Sequence, residues 1–271
     1  MAIDLAPLWD FNQPDVSEQR FRAALESVSG DDALLLKTQI ARTYGLRKDF
    51  SGAREILASI EPELPAAAAE VRIRHALELG RTYASAAHSS EQQTEEARML
   101  ARTSYLRALE LSRSAQLDAL SIDAIHMLAF VDTEPADQLK WAQAAMAVVQ
   151  ASSQADARKW EAPIRNNLGY ALHQLGRFDE ALDEFEQALV LRERSKDAEA
   201  VRVARWMVAW TLRAQGRMDE ALRMQLSLEH ECEVAGAPDP YVYEELEILY
   251  RARGNEAEAV RYRALRVATA D

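Results

Sequence analysis

Residues 166–191, NNLGYALHQLGRFDEALDEFEQALVL, constrain the fold more than any other stretch, because they read as a complete helix–turn–helix unit that recurs along the chain. Leu168, Leu172 and Leu175 recur at helical spacing, Gly176-Arg177 interrupt the pattern, and Ala181, Leu182, Phe185, Ala188 and Leu189 resume it. The spacing predicts two amphipathic helices joined by a very short turn. Gly169 and Ala181 are small where antiparallel helices would cross, and Phe185 is bulky one turn later, as needed to fill the space between them. Gly176 suits a helix end that turns left-handed, and Asp179-Glu180 place negative charge against the positive end of the second helix dipole. One such pair cannot bury its apolar face, so it requires neighbours.

The neighbours are in the sequence. Gly216-Arg217-x-Asp219-Glu220-Ala221-Leu222 repeats the turn and second-helix start after Val208-Ala209-x-x-Leu212, and Leu246 to Ala259 repeats the unit again. Upstream copies run from Ile40-Ala41 through Ala53, from Leu79-Gly80 through Tyr105 and Ala108, and more weakly from Leu128-Ala129 through Trp141. The small residue of each first helix is Ala41, Gly80, Ala129, Gly169 and Ala209, with Glu247 in the last copy, at separations of 39, 49, 40, 40 and 38 residues. The long separation contains an extra polar stretch, His88-Ser89-Ser90-Glu91-Gln92-Gln93. Helices are expected near 33–47, 50–60, 66–86, 92–114, 117–131, 135–152, 158–175, 178–194, 197–215, 218–235, 239–252 and 255–268. Before them, Pro7, Trp9, Phe11 and Pro14 suggest an extended leader whose aromatics lie on the first repeat. A capping helix from Asp15 through Ser27 follows, with Gly30 as its stop.

The pattern of Leu168-Gly169 and Ala181-x3-Phe185 resembles the tetratricopeptide repeat family, over roughly residues 33–268 and most strongly over 160–222. The spacing exceeds the family's usual ~34 residues and is similar to the long-repeat, kinesin-light-chain type. The resemblance implies an all-α, right-handed α-solenoid of about six antiparallel helix pairs. It forms a single domain over 1–271, with a leader and capping helix in 1–30.

Composition narrows the function classes. The chain of 271 residues carries 32 Lys and Arg against 44 Asp and Glu, a net charge of −12, which disfavours nucleic acid and anionic membrane as partners. One cysteine, Cys232, excludes an internal disulfide framework, and no secretory signal or run of ~18 apolar residues is present, so a soluble cytoplasmic protein is expected. The histidines 75, 88, 126, 173 and 230 show no zinc-ligand spacing, and no phosphate-binding loop or nucleophile elbow occurs. Neither an enzyme nor a metal or cofactor site is expected.

The resemblance directs attention to one surface. In tetratricopeptide proteins the first helix of each repeat lines a concave groove for a peptide or partner protein. Residues three before, one after and four after the small position share that helical side. In the first three copies this places Thr38, Arg42 and Gly45; Leu77, Arg81 and Ala84; and His126, Phe130 and Thr133 on the groove. In the last three it places Asn166, Tyr170 and His173; Trp206, Trp210 and Arg213; and Glu244, Ile248 and Arg251 there. The candidate partner-binding residues are Arg81, His126, Phe130, Asn166, Asn167, Tyr170, His173, Trp206, Trp210 and Arg213, because aromatics and arginine dominate hot spots and inward polar groups need partners. Trp206 and Trp210 equally suit packing against the next repeat. Asn167 matches one Asn of the clamp with which some family members hold a chaperone's C-terminal carboxylate. His126, Phe130, Val203 and Met207 stand where its companions would be, so a different ligand is expected. The chain is read as a non-catalytic, monomeric adaptor open to self-association, or alternatively as a peptide- or ligand-sensing module acting on a separate effector chain.

Overall fold

The computed structural model describes residues 3–195 and 197–270, and these form helices and connecting turns with no strand. They divide into two compact units, Met1–Trp160 and Glu161–Asp271. In the first unit, α1 (Pro14–Leu25) packs on α2 (Gly30–Leu46), which pairs with α3 (Phe50–Ile60). Then α4 (Ala69–Arg81) pairs with α5 (Glu95–Ser114), and α6 (Asp118–Val131) pairs with α7 (Pro135–Ala151). A single turn, α8 (Ala155–Arg158), packs on α6 and α7. The second unit contains the pairs α9 (Glu161–Gln174) with α10 (Phe178–Ser195), α11 (Ala198–Ala214) with α12 (Met218–Val234), and α13 (Pro240–Ala252) with α14 (Glu256–Ala270).

Each pair closes on the residues that the repeat pattern singles out. A methyl group built on Gly169 would lie 2.7 Å from the Phe185 ring, and one on Gly80 would lie 2.4 Å from the Tyr105 ring, so both aromatics occupy the space that a side chain would fill. Phe185 and Tyr105 are fully buried, as are Ala53, Ala181 and Ala221 at the equivalent crossings. Gly176 and Gly216 have φ of +73° and +79°. There the Arg177 and Arg217 amides donate back to the Leu172 and Leu212 carbonyls over 2.9 Å, which satisfies helix-end acceptors while reversing the chain. Arg177 and Arg217 then form two-pronged pairs with Glu180 and Glu220 in the next helix. The same closure occurs at Lys48 and Gln116, whose φ values of 66° and 55° are reached without glycine. Helix starts follow the expected chemistry: Asp49, Thr94, Asp197 and Asp239 cap with their side chains, and Pro14, Pro135 and Pro240 lie in first turns.

Three boundaries differ from expectation. Gly30 does not stop α1, which ends at Leu25; with φ of +59° it turns the chain into α2, of which it is the first residue. The helix expected over 66–86 is confined to Ala69–Arg81, and residues 82–94 form a connection held by side chains. The helix expected over 158–175 starts at Glu161, after the separate turn α8. Leu175, placed on the apolar face, is 40% exposed because it lies beyond the last turn of α9.

The leader lies on the first pair. Trp9 stacks on Phe11 at 4.5 Å and meets Phe21 edge-on at 5.0 Å, while its indole Nε1 donates to Gln39 Oε1 over 3.1 Å. Arg47 ties α1 to α2 through Asp15 and Glu18. No helix among the described residues is long and apolar enough to cross a membrane.

Candidate functional site

The candidate residues gather into separate sets. In the first unit, Arg81 on α4 and His126 and Phe130 on α6 line one cavity of about 260 Å³, together with Arg42 and Gly45 on α2. The +1 positions Arg42, Arg81 and Phe130 therefore share a wall. Thr38 and Leu77, three before the small residues, are fully buried and turn away from it, because α2 and α4 pack side by side there. Ala84 is buried in the connection, and Thr133 lies beyond the end of α6.

Charge on this wall is internally balanced. Arg81 donates to Glu78 Oε1 over 2.6 Å and to Asp123 Oδ1 over 2.5 Å, and Arg42 donates to the same Glu78 oxygen over 3.0 Å. Two cations thus face two carboxylates. Burial pushes the Asp123 carboxyl up, but Arg81 and Arg42 outweigh it and hold the group below the usual carboxylate range. Burial lowers the His126 imidazole pKa, against the pull of Asp123. Its ring stands 5.5 Å from Phe130 and 5.7 Å from Trp160.

The connection between α4 and α5 supplies the rest of the cavity through Ser85, Ala86 and Ala87. His88 anchors it by stacking on Phe50 at 3.7 Å. Its Nε2 lies 3.2 Å from the Thr82 carbonyl, so that nitrogen donates, and Ser85 Oγ then donates to Nδ1 over 3.1 Å. The Tyr105 hydroxyl donates to the Ala84 carbonyl over 2.6 Å.

In the second unit the aromatics of α9 and α11 interleave. Tyr170 stacks on Trp210 at 6.1 Å, Trp210 on Trp206 at 5.6 Å, and His173 on Trp210 at 3.4 Å. Tyr241 at the start of α13 meets Trp206 edge-on at 6.2 Å. The tryptophans pack between repeats, and the ladder ends in rings open to solvent, with Tyr170 41% and Tyr241 64% exposed. Burial, with Arg213 nearby, pushes the His173 imidazole down to about 4. Arg213 is held by Glu245 through two bonds of 2.6 and 2.8 Å, so its charge is already committed. Asn166 and Asn167 line a groove with Pro163, Arg192, Asp197 and Val203.

The offsets missed Glu78, Asp123, Trp160, Glu245 and Tyr241. For the acids a signal existed: Asp123 interrupts the apolar run Leu120 to Phe130, and a lone carboxylate in such a run requires a buried cation. Trp160 carries no periodic signal, because it follows the short turn α8.

A tetratricopeptide repeat model matches residues 160–227. No curated protein is similar to the chain in sequence at a significant level. Among solved structures, a signal-transduction ATPase with a tetratricopeptide repeat sensor from Pyrococcus horikoshii is similar with a TM-score of 0.70 and 11% identity, over 94% of this chain and 39% of that one. The chain thus spans about two-fifths of the length of that protein. A Rap protein complexed with competence and sporulation factor is similar with a TM-score of 0.64 and 14% identity, over 96% and 72% of the two chains. A putative kinesin light chain from Podospora anserina, with nearly identical repeats, is similar with a TM-score of 0.55 and 16% identity, over 73% and 94%. Residues 160–227 thus carry a tetratricopeptide repeat signature, and the paired-helix fold on either side of them is similar to that of these solved repeat structures.

Proposed function

We propose that this protein is a non-catalytic interaction module that recognises a peptide or partner protein through the first helices of its repeats. The observation that carries this reading is the aromatic ladder of Tyr170, Trp210, Trp206 and Tyr241 across α9, α11 and α13, half-buried at its centre and exposed at both ends. Rigid aromatics with one face open supply contact area at low entropic cost, which is why they serve as interface anchors. The Rap protein complexed with competence and sporulation factor supports recognition as the use of this fold. The net charge of −12 disfavours nucleic acid and anionic membrane. Arg213 serves as framework for the ladder, being bound by Glu245.

A second reading, a sensor controlling a separate effector chain, is favoured by the bounded cavity of the first unit and by the repeat sensor of the Pyrococcus protein. Crosslinking and affinity capture from the native cell test the first reading, with the wild type compared with Tyr170→Ala/Tyr241→Ala. Both substitutions are at the surface and leave the Arg213–Glu245 pair intact, so helicity and melting stay within about 0.5 kcal/mol of wild type. Loss of the captured partner from the double variant is the expected result, and retention of it moves the site off the ladder.

A further inference from the structure

The connection from Thr82 to Thr94 distinguishes the second copy from every other. Where α9–α10 and α11–α12 close with tight glycine turns, α4 and α5 are joined by a long segment that is nonetheless pinned at Thr82, Ala84 and His88. Long connections in compact folds are commonly functional, and this one spends its fixed residues on Ser85, Ala86 and Ala87, which wall the cavity over α2, α4 and α6. We propose that this cavity is a binding pocket for one uncharged aromatic ring system, of the size of a phenol or an indole, either free or carried on a peptide side chain. The inference deepens the recognition reading by assigning the first unit a ligand class of its own.

Three observations carry it. Size comes first: dry cavities of about 150 Å³ accept benzene, and about 260 Å³ gives room for a fused or substituted ring. The second is the chemistry of the walls. Phe130, Trp160 and the His126 ring present π edges and faces, and Leu46, Met127 and the alanines are apolar. The third is charge. Arg42, Arg81, Glu78 and Asp123 satisfy one another, so a carboxylate or an ammonium entering the cavity would be desolvated with no unpaired counter-charge to meet it.

The test titrates the full chain calorimetrically with indole and p-cresol as free rings, and with N-acetyl-tryptophanamide as a peptide-borne ring. Indole-3-acetate and tryptamine serve as charged comparators. Gly45 lines the cavity, and a methyl group built there has no atom within 4 Å, so Gly45→Leu starts a bulky side chain from open space at the cavity wall and replaces a helix-disfavouring glycine. Expected are saturable binding of at least one neutral ring, at least tenfold weaker binding of both charged analogues, and at least tenfold weaker binding to Gly45→Leu. Phe130→Ala, which removes a wall, is expected to weaken binding as well and provides the check if Gly45→Leu folds poorly. Tighter binding of the amide points to a peptide side chain, and tighter binding of indole or p-cresol to a free metabolite. No saturable binding of any neutral ring, equal affinity for the charged analogues, or undiminished binding by the filled or opened cavity overturns the proposal. The Tyr170→Ala/Tyr241→Ala test concerns the other unit, so either idea fails without the other.

Discussion

His173 and Arg81 show how single side chains are tuned by what packs on them. His173 lies flat on Trp210 with Arg213 nearby, and its pKa of about 4 lies below the ~6.5 expected of an unfolded chain. The unfolded state therefore takes up the proton first as pH falls. Stability from this site is complete above pH ~6.5 and is lost progressively toward pH 4. Chemical denaturation from pH 7.5 to 4.5 is expected to show a steeper loss for the wild type than for His173→Phe, which keeps a stacked ring but cannot titrate. Parallel losses would mean that the imidazole is not the titrating group. Arg81 belongs to a different regime, a buried charge shared between Glu78 and Asp123. Arg81→Met is expected to cost about 3–5 kcal/mol by leaving Asp123 without its cation, and Arg81→Met/Asp123→Leu is expected to recover much of that. Urea midpoints of the two variants decide the matter.

At the scale of helices, pairing depends on a small residue facing a large one. Phe185 occupies the volume that a Gly169 side chain would need, at 2.7 Å, so Gly169→Ala is expected to lose about 1–3 kcal/mol through overpacking. Gly169→Ala/Phe185→Leu should regain part of it, which thermal melts of single and double variants would register. The turn glycines act through backbone and not volume. No atom lies within 4 Å of a methyl group built on Gly216, yet its φ of +79° makes Gly216→Ala cost about 1 kcal/mol. Sequence periodicity made these elements legible because burial and chain reversal leave local marks: an apolar stripe, a glycine, an acidic first turn. It overextended α4 to residue 86 because Tyr83 and Ala84 continue the apolar period, whereas the Tyr105 hydroxyl and His88 draw that backbone into a fixed connection.

For the whole molecule, a chain assembled from repeats gains its stability from contacts between neighbours in sequence. The pairs α9–α10, α11–α12 and α13–α14 make their contacts within Glu161–Asp271. That segment, produced alone, is expected to be helical and to unfold cooperatively, as followed by circular dichroism with urea. A non-cooperative, sloping transition would show that its core needs residues outside it.

The sequence alone determined the paired-helix fold and the crossings where glycine meets an aromatic ring, because one residue's helical phase dictates which neighbours it meets. Its offsets placed Arg81, His126, Phe130, Tyr170, His173, Trp206 and Trp210 on a common inner side, which the structure divides between a cavity and an aromatic ladder. Only the tertiary structure decided that Arg213 is committed to Glu245, that Arg81 reaches Asp123, and that Asn166 lines a groove with Asp197 and Val203. It alone made a polar insertion the wall of a cavity. These outcomes depend on residues about 30 to 40 positions apart meeting across helices, and no periodicity within one helix encodes the partner that another helix will bring.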